Sequence, residues 1–206
     1  AEMKRKHGFE MREFSPGGGF AVRYVEGQEP PPAADYAEEI VSALKEAGQK
    51  HGLSLPDLVI DPGRAIVARA AVALYTVGSS KDVPEVRRFV SVDGGMADNI
   101  RPALYGSQYS ALVANKITDK RREKVTIAGK YCESGDILIR DADLPPLEPG
   151  DVLAVLTAGA YNLPMASNYN SALRPAIVLV KDGQARLMRR RETYDDLIRC
   201  DVWPLE

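Results

Sequence analysis

The chain has 206 residues, 45% of them hydrophobic and 27% charged, with a formal net charge of −2 and a sequence pI near 5.8. That composition is ordinary for a soluble globular protein and gives no electrostatic reason to bind nucleic acid. The length allows one good core or two small domains. It excludes a complete (β/α)8 barrel with a second domain, since the barrel alone takes about 250 residues.

The two cysteines, Cys132 and Cys200, and the two histidines, His7 and His51, lack metal-ligand spacing. Neither a zinc site nor a disulfide framework is expected, and a reducing, cytoplasmic setting fits. The longest apolar run, residues 65–77, is broken by Arg69 and is too short to span a membrane, so no membrane partner is expected. No signal peptide is expected from the opening residues. The chain starts with Lys4-Arg5-Lys6 running directly into Phe9 to Phe14, which reads as a cut through an existing fold.

In chain order, a β-type stretch to Phe14 leads into Gly17-Gly18-Gly19 and then a crossing loop at Pro30-Pro31-Pro32. A helix follows, with Asp35 as its cap, Glu38 closing a capping box, an apolar stripe of Tyr36, Ile40, Leu44 and Ala47, and a stop at Gly52. Leu58-Val59-Ile60 forms a short apolar strand ending at Asp61-Pro62-Gly63-Arg64. Strand, helix and strand make a βαβ unit, which belongs to a parallel sheet. Beyond residue 65 the helical signal disappears. Short β-type runs at residues 86–93, 124–131, 136–140, 152–157, 176–181 and 184–191, with an Asp182-Gly183 hairpin turn, predict a mainly antiparallel sheet or barrel. The boundary expected is residues 1–64 against residues 65–206.

The chemistry lies in the loops. Successive glycines let backbone N–H groups converge on an anion, although a triple glycine alone is more often a flexible turn. Ligands in parallel α/β folds collect at the carboxyl ends of strands, where Asp61 to Arg64 fall; Gly63 gives backbone access and Arg64 suits a phosphate or carboxylate. Further strings follow: Asp93-Gly94-Gly95-Met96, Arg101-Pro102-Ala103-Leu104-Tyr105-Gly106, Cys132-Glu133-Ser134-Gly135-Asp136, Gly159-Ala160-Tyr161 and Ala166-Ser167-Asn168-Tyr169-Asn170-Ser171. Each by itself could be turn chemistry. Their order is harder to explain so.

Together these strings resemble the fold-type III pyridoxal-phosphate-dependent decarboxylases, and within them the branch acting on meso-diaminopimelate. The resemblance runs from the triple glycine to the carboxy terminus, including Arg190-Arg191-Glu192-Thr193 and Asp195-Asp196-Leu197. It implies the end of a (β/α)8 alanine-racemase-like barrel, followed by a β-barrel or sandwich domain. It implies pyridoxal 5′-phosphate as cofactor, with its phosphate near Gly17, Gly18, Gly19, Gly63 and Arg64, Asp61 at the pyridine nitrogen, and Tyr161 lining the site. Asp61 stands where the family usually has Glu. Arg64, Arg101, Tyr105 and Tyr161 would hold the substrate, Glu133 would read its distal ammonium, and Cys132 would supply the proton after carbon dioxide leaves. Cys132 and Glu133 would act in the neighbouring subunit's site of a homodimer. The Schiff-base lysine that the family requires has no counterpart among this chain's lysines, so the chain reads as a fragment inactive alone. Two alternatives remain: a related decarboxylase of another D-amino or diamino acid, and a non-catalytic decarboxylase-like binding protein. The incomplete first region is expected to be poorly packed and the second to be the stable part.

Overall fold

Helix α1 (Glu2–His7) precedes strand β1 (Glu13–Gly17), which pairs in parallel with β2 (Asp57–Ile60), Phe14 opposite Leu58. The computed structural model describes residues 1–202. The crossover between the two strands is helix α2 (Ala33–His51), 19 residues long, as the βαβ reading requires. It begins two residues before Asp35. Pro32, at φ −64° and ψ 156°, is the residue at the cap, and neither Asp35 nor Glu38 makes a side-chain cap. Alanine is the strongest helix former, so Ala33 and Ala34 extend the helix back to the proline. Asp35 then lies in the first turn, where its charge meets the positive end of the helix dipole. The other end matches the expectation: Gly52 takes the left-handed conformation at φ 62° and donates to the Gly48 carbonyl. Tyr36, Ile40 and Leu44 are half-buried, whereas Ala47 is exposed. Between residues 9 and 60 only Phe20 and Gly48 are buried, in line with loose packing of the first region.

After α3 (Gly63–Val67) comes a six-stranded sheet of β3 (Ala73–Val83), β4 (Arg87–Val92), β5 (Ala111–Val113), β6 (Glu123–Ala128), β7 (Ile137–Leu144) and β8 (Val152–Val155). Its order is β5-β8-β3-β4-β6-β7, and the two edge strands β5 and β7 approach each other so that the sheet nearly closes. The pairing is antiparallel except for β4 with β6, which are parallel, so the sheet is mixed. Strands β3 and β5 were not visible as β-type runs. In β3 the string Gly78-Ser79-Ser80 falls at a register shift. The Ser79 N–H donates to Ser91 Oγ at 3.0 Å, a side-chain bond that replaces ladder pairing at the irregularity. The core lies inside this sheet: Val90, Ile127 and Leu153 are fully buried, flanked by Val77, Val113, Val125 and Val155.

The helical signal does not end at residue 65. Helices α4 (Arg101–Tyr105), α5 (Asn162–Met165) and α6 (Tyr194–Ile198) follow, each too short for an apolar period to show. Strands β9 (Ile177–Lys181) and β10 (Gln184–Arg189) form the expected hairpin, with Asp182 at φ 53° and Gly183 at φ 72° as a type I′ turn requires. Glu192 and Asp196 explain the motif near the carboxy terminus. Asp196 closes a capping box with Thr193 and takes a bidentate pair from Arg190, while Glu192 pairs with Arg174 at 2.9 Å.

Candidate active site

The glycine loop is shaped for an anion. Gly17 and Gly19 sit at φ 81° and 88°, with Gly18 between them outside the left-handed region, the alternation that turns successive N–H groups to one side. The N–H groups of Gly18, Gly19 and Phe20 donate to no protein acceptor among the described residues. A side chain at Gly18 would meet the Asp61 carbonyl, and the Asp61 N–H donates to the Gly17 carbonyl, so the loop and the end of β2 are locked together. Arg64 completes the lock: Nε donates to the Phe20 carbonyl and Nη2 to the Gly19 carbonyl, both at 3.1 Å. In a trans peptide the carbonyl and the following N–H point oppositely, so holding the Gly19 carbonyl aims the Phe20 N–H away from Arg64. Arg64 therefore shapes the loop, with part of its guanidinium already committed. Asp61 and Gly63 line the same junction.

Arg101 opens α4 and lies one turn from Tyr105, on the same helix face. Its guanidinium sits over three tyrosine rings, Tyr161 at 4.9 Å, Tyr24 at 5.1 Å and Tyr109 at 5.9 Å, and donates to Tyr109 Oη at 2.8 Å. Burial works against this cation, but the bond to Tyr109 and the nearby Tyr24 outweigh it and raise the pKa of Arg101. Tyr105 is exposed, and Tyr161, at φ 70°, presents its ring from the strained start of α5. An open cleft of about 340 Å³ has Arg64, Tyr24, Ala21 and Gln28 in its wall, so the glycine loop and the arginine cluster share Tyr24. The Tyr24 carbonyl in turn accepts from Ser110 N and Oγ, docking this segment onto the sheet domain.

Cys132 and Glu133 form a separate exposed cluster on the turn between β6 and β7. Tyr169 Oη donates to Glu133 Oε1, and Asn170 Nδ2 donates to Cys132 Sγ at 3.6 Å. The Glu133 bond pushes the Tyr169 phenol up to about 12, so it remains a donor. Beneath this turn Asp136, almost fully buried, accepts from Met96 N at 2.7 Å and Tyr131 N at 2.8 Å. Its carboxylate fills the space where Gly95 and Gly129 have no side chain, and burial raises its pKa. Among the described residues no hydrogen bond or ion pair joins this cluster to Arg64, Arg101, Tyr161 or the glycine loop.

The structure thus sorts the expected site residues into two groups, one around Gly17 to Arg64 and Arg101, the other around Cys132. Sequence reasoning missed Tyr24 and Tyr109, which flank Arg101; isolated tyrosines outside any motif carry no signal of that role. In the sequence Asp136 enters only as the last residue of the Cys132 to Asp136 string, with no buried role of its own. Among the described residues no three His, Cys, Asp or Glu side chains converge as a metal site, and no helix is long and apolar enough to cross a membrane.

Comparison with known proteins places the chain in a family. The family model of the pyridoxal-dependent decarboxylase C-terminal sheet domain matches residues 36–159, and that of the pyridoxal binding domain matches residues 1–68. Diaminopimelate decarboxylase of Bacillus subtilis is 49% identical over 201 residues, covering 98% of this chain and 46% of the relative. That of Halalkalibacterium halodurans is 47% identical over 97% of this chain and 45% of the relative. The crystal structure of diaminopimelate decarboxylase from M. jannaschii in complex with L-lysine superimposes with a TM-score of 0.87 at 37% identity, over 98% of this chain and 45% of that one. The chain spans about half the length of the curated relatives it matches. With both family models matched and a curated relative 49% identical over 98% of this sequence, the chain belongs to the pyridoxal-dependent decarboxylases.

Proposed function

We propose that this chain supplies part of the active site of a cytoplasmic enzyme that converts meso-2,6-diaminopimelate to L-lysine and carbon dioxide with pyridoxal 5′-phosphate. The observation that carries the reading is that the chain bears, in two separate clusters, an aromatic-flanked Arg101 and an exposed Glu133. A cation and an anion of this kind match the carboxylate and ammonium of one amino-acid terminus. Residues 1–64 would be the end of a (β/α)8 barrel of the alanine-racemase type, and residues 65–206 a β-barrel or sandwich domain.

The residues fit the cofactor. The nest of Gly17 to Gly19, shaped by Arg64 and backed by Gly63, would hold the phosphate, Asp61 would serve the ring nitrogen, and Tyr161 would line the site. When bound, pyridoxal phosphate supplies an electron sink for the bond that releases carbon dioxide. Arg101, with Tyr105 and the free face of Arg64, orients the distal carboxylate, and Glu133 holds the distal ammonium. Cys132 delivers the Sγ proton to the carbon that has lost carbon dioxide, at the D-configured centre. The separation of the two clusters in one chain supports a homodimer in which Cys132 and Glu133 complete the neighbouring site.

The test uses the full-length protein with pyridoxal phosphate, measuring carbon dioxide and L-lysine from meso-diaminopimelate beside a panel of other diamino and D-amino acids. Turnover of meso-diaminopimelate above the panel is expected. Cys132→Ala is expected to lower kcat by about 100-fold or more with cofactor binding unchanged. Inert meso-diaminopimelate with an active diamino monocarboxylate would overturn the substrate; near-normal kcat in Cys132→Ala would remove the proton donor.

A further inference from the structure

Two neighbouring residues on one turn meet the two neighbouring residues of the Cys132 cluster. Tyr169 donates to Glu133 and Asn170 donates to Cys132. The turn is not an accidental neighbour. Asn170, at φ 51° and ψ 35°, and Ser171, at φ 57°, are consecutive non-glycine residues in the left-handed region. Such a pair persists only where its surroundings hold it. The holding groups are visible: Asn168 Nδ2 donates to Glu192 Oε2 at 2.7 Å and to the Ala172 carbonyl at 2.9 Å, and Glu192 is fixed by Arg174. The Tyr169 ring also meets Tyr131 edge-on, at 5.6 Å between centroids. Both side chains are therefore aimed before any substrate arrives.

We propose that Tyr169 and Asn170 are positioning residues with divided tasks: Tyr169 sets the Glu133 carboxylate for the substrate's distal ammonium, and Asn170 sets the Cys132 sulfur for proton delivery. The proposal rests on the roles given above to Cys132 and Glu133. Tyr169 bonds Glu133 through one oxygen, leaving the other carboxylate oxygen for an ammonium. Asn170 gives the sulfur an N–H donor, which orients the Cys132 side chain. The other titratable groups on and beneath the two turns are Glu133, Lys130, Tyr131, Asp136 and Tyr169.

The division of labour is tested in the full-length protein with Tyr169→Phe, which keeps the ring, and Asn170→Gly, which keeps the left-handed turn and removes only the amide. In Tyr169→Phe, KM for meso-diaminopimelate is expected to rise about three- to tenfold with kcat within about twofold. In Asn170→Gly, kcat is expected to fall by a similar factor with KM little changed. A third readout needs no turnover. In a Cys200→Ser background, alkylation of Cys132 by iodoacetamide at fixed pH is expected to slow about three- to tenfold in Asn170→Gly and to be unaltered in Tyr169→Phe. Equal loss of kcat and KM in both variants, or unaltered alkylation in Asn170→Gly, overturns the proposal. Should the wild-type protein prove inert toward meso-diaminopimelate, the substrate reading fails, while the alkylation rates still decide the contact between Asn170 and Cys132.

Discussion

At the scale of single residues, the site depends on polar groups that have one good partner each. Tyr109 is buried, with its hydroxyl between Arg101 Nη1 at 2.8 Å and Asn162 Oδ1 at 3.4 Å. Removing that oxygen leaves a half-buried guanidinium without its in-plane acceptor while the three rings around it remain. Tyr109→Phe is therefore expected to raise KM more than it lowers kcat, by about three- to tenfold, and to reduce stability by ~1 kcal/mol, measured by steady-state kinetics and urea unfolding. Asp98 makes a different prediction. Burial raises its carboxyl above 3.8, only partly offset by the Gly95 N–H at 3.0 Å. The native chain thus holds this proton more tightly than the unfolded one, so stability from this group falls as pH rises through the window above the unfolded value. At neutral pH the charge is a cost. Asp98→Asn, which keeps an oxygen for Gly95, is expected to raise Tm near neutrality, with the gain shrinking as pH falls toward 4; an unchanged or lower Tm at neutral pH contradicts this.

At the scale of elements, what the sequence made legible follows the length and regularity of each piece. Helix α2 was readable because its 19 residues carry four apolar positions at helical spacing and end at a left-handed glycine. The β9–β10 hairpin was readable because Asp182-Gly183 has a chemical reason to turn. Strand β3 was not: the serines at its register shift find a partner only when Ser91 is brought opposite them from β4. The parallel pair β4–β6 was equally hidden, because pairing direction depends on the path of the connecting chain and leaves no local pattern. The site divides in the same way. Loops rich in glycine announced themselves, whereas Tyr24 and Tyr109 acquire a role only where folding brings them to Arg101. One contact between elements depends on a missing side chain. Gly159 donates to the Ala68 carbonyl at 2.9 Å, and a Cβ there would overlap the Val67 carbonyl. Gly159→Ala is expected to push α3 from the sheet domain, displacing Arg64 and Tyr161 together. Stability should drop by ~1–3 kcal/mol and cofactor binding should weaken, as read by chemical unfolding and a pyridoxal phosphate titration. A variant with wild-type affinity and stability would show that this approach is slack.

At the scale of the whole molecule, the two regions are covered very unequally. The six-stranded sheet encloses its own core, but β1 and β2 form a sheet of only two strands, with Val59, Ile60, Ile66 and Val67 exposed. A two-stranded unit is marginal in water unless something packs on it. The β9–β10 hairpin is in the same position: Val178, Val180, Leu187 and Met188 are all exposed, Val180 at 72%. Apolar surface of this extent on two separate elements marks faces that require cover. The 206-residue chain produced by itself is therefore expected to enhance the fluorescence of a hydrophobic dye such as ANS, and to lose amide-exchange protection first in residues 9–60, with residues 87–155 protected longest. The full-length protein under the same conditions should show weak dye binding and protection of β1 and β2. Equal dye binding by the two would mean that these faces serve some purpose other than packing within one decarboxylase fold.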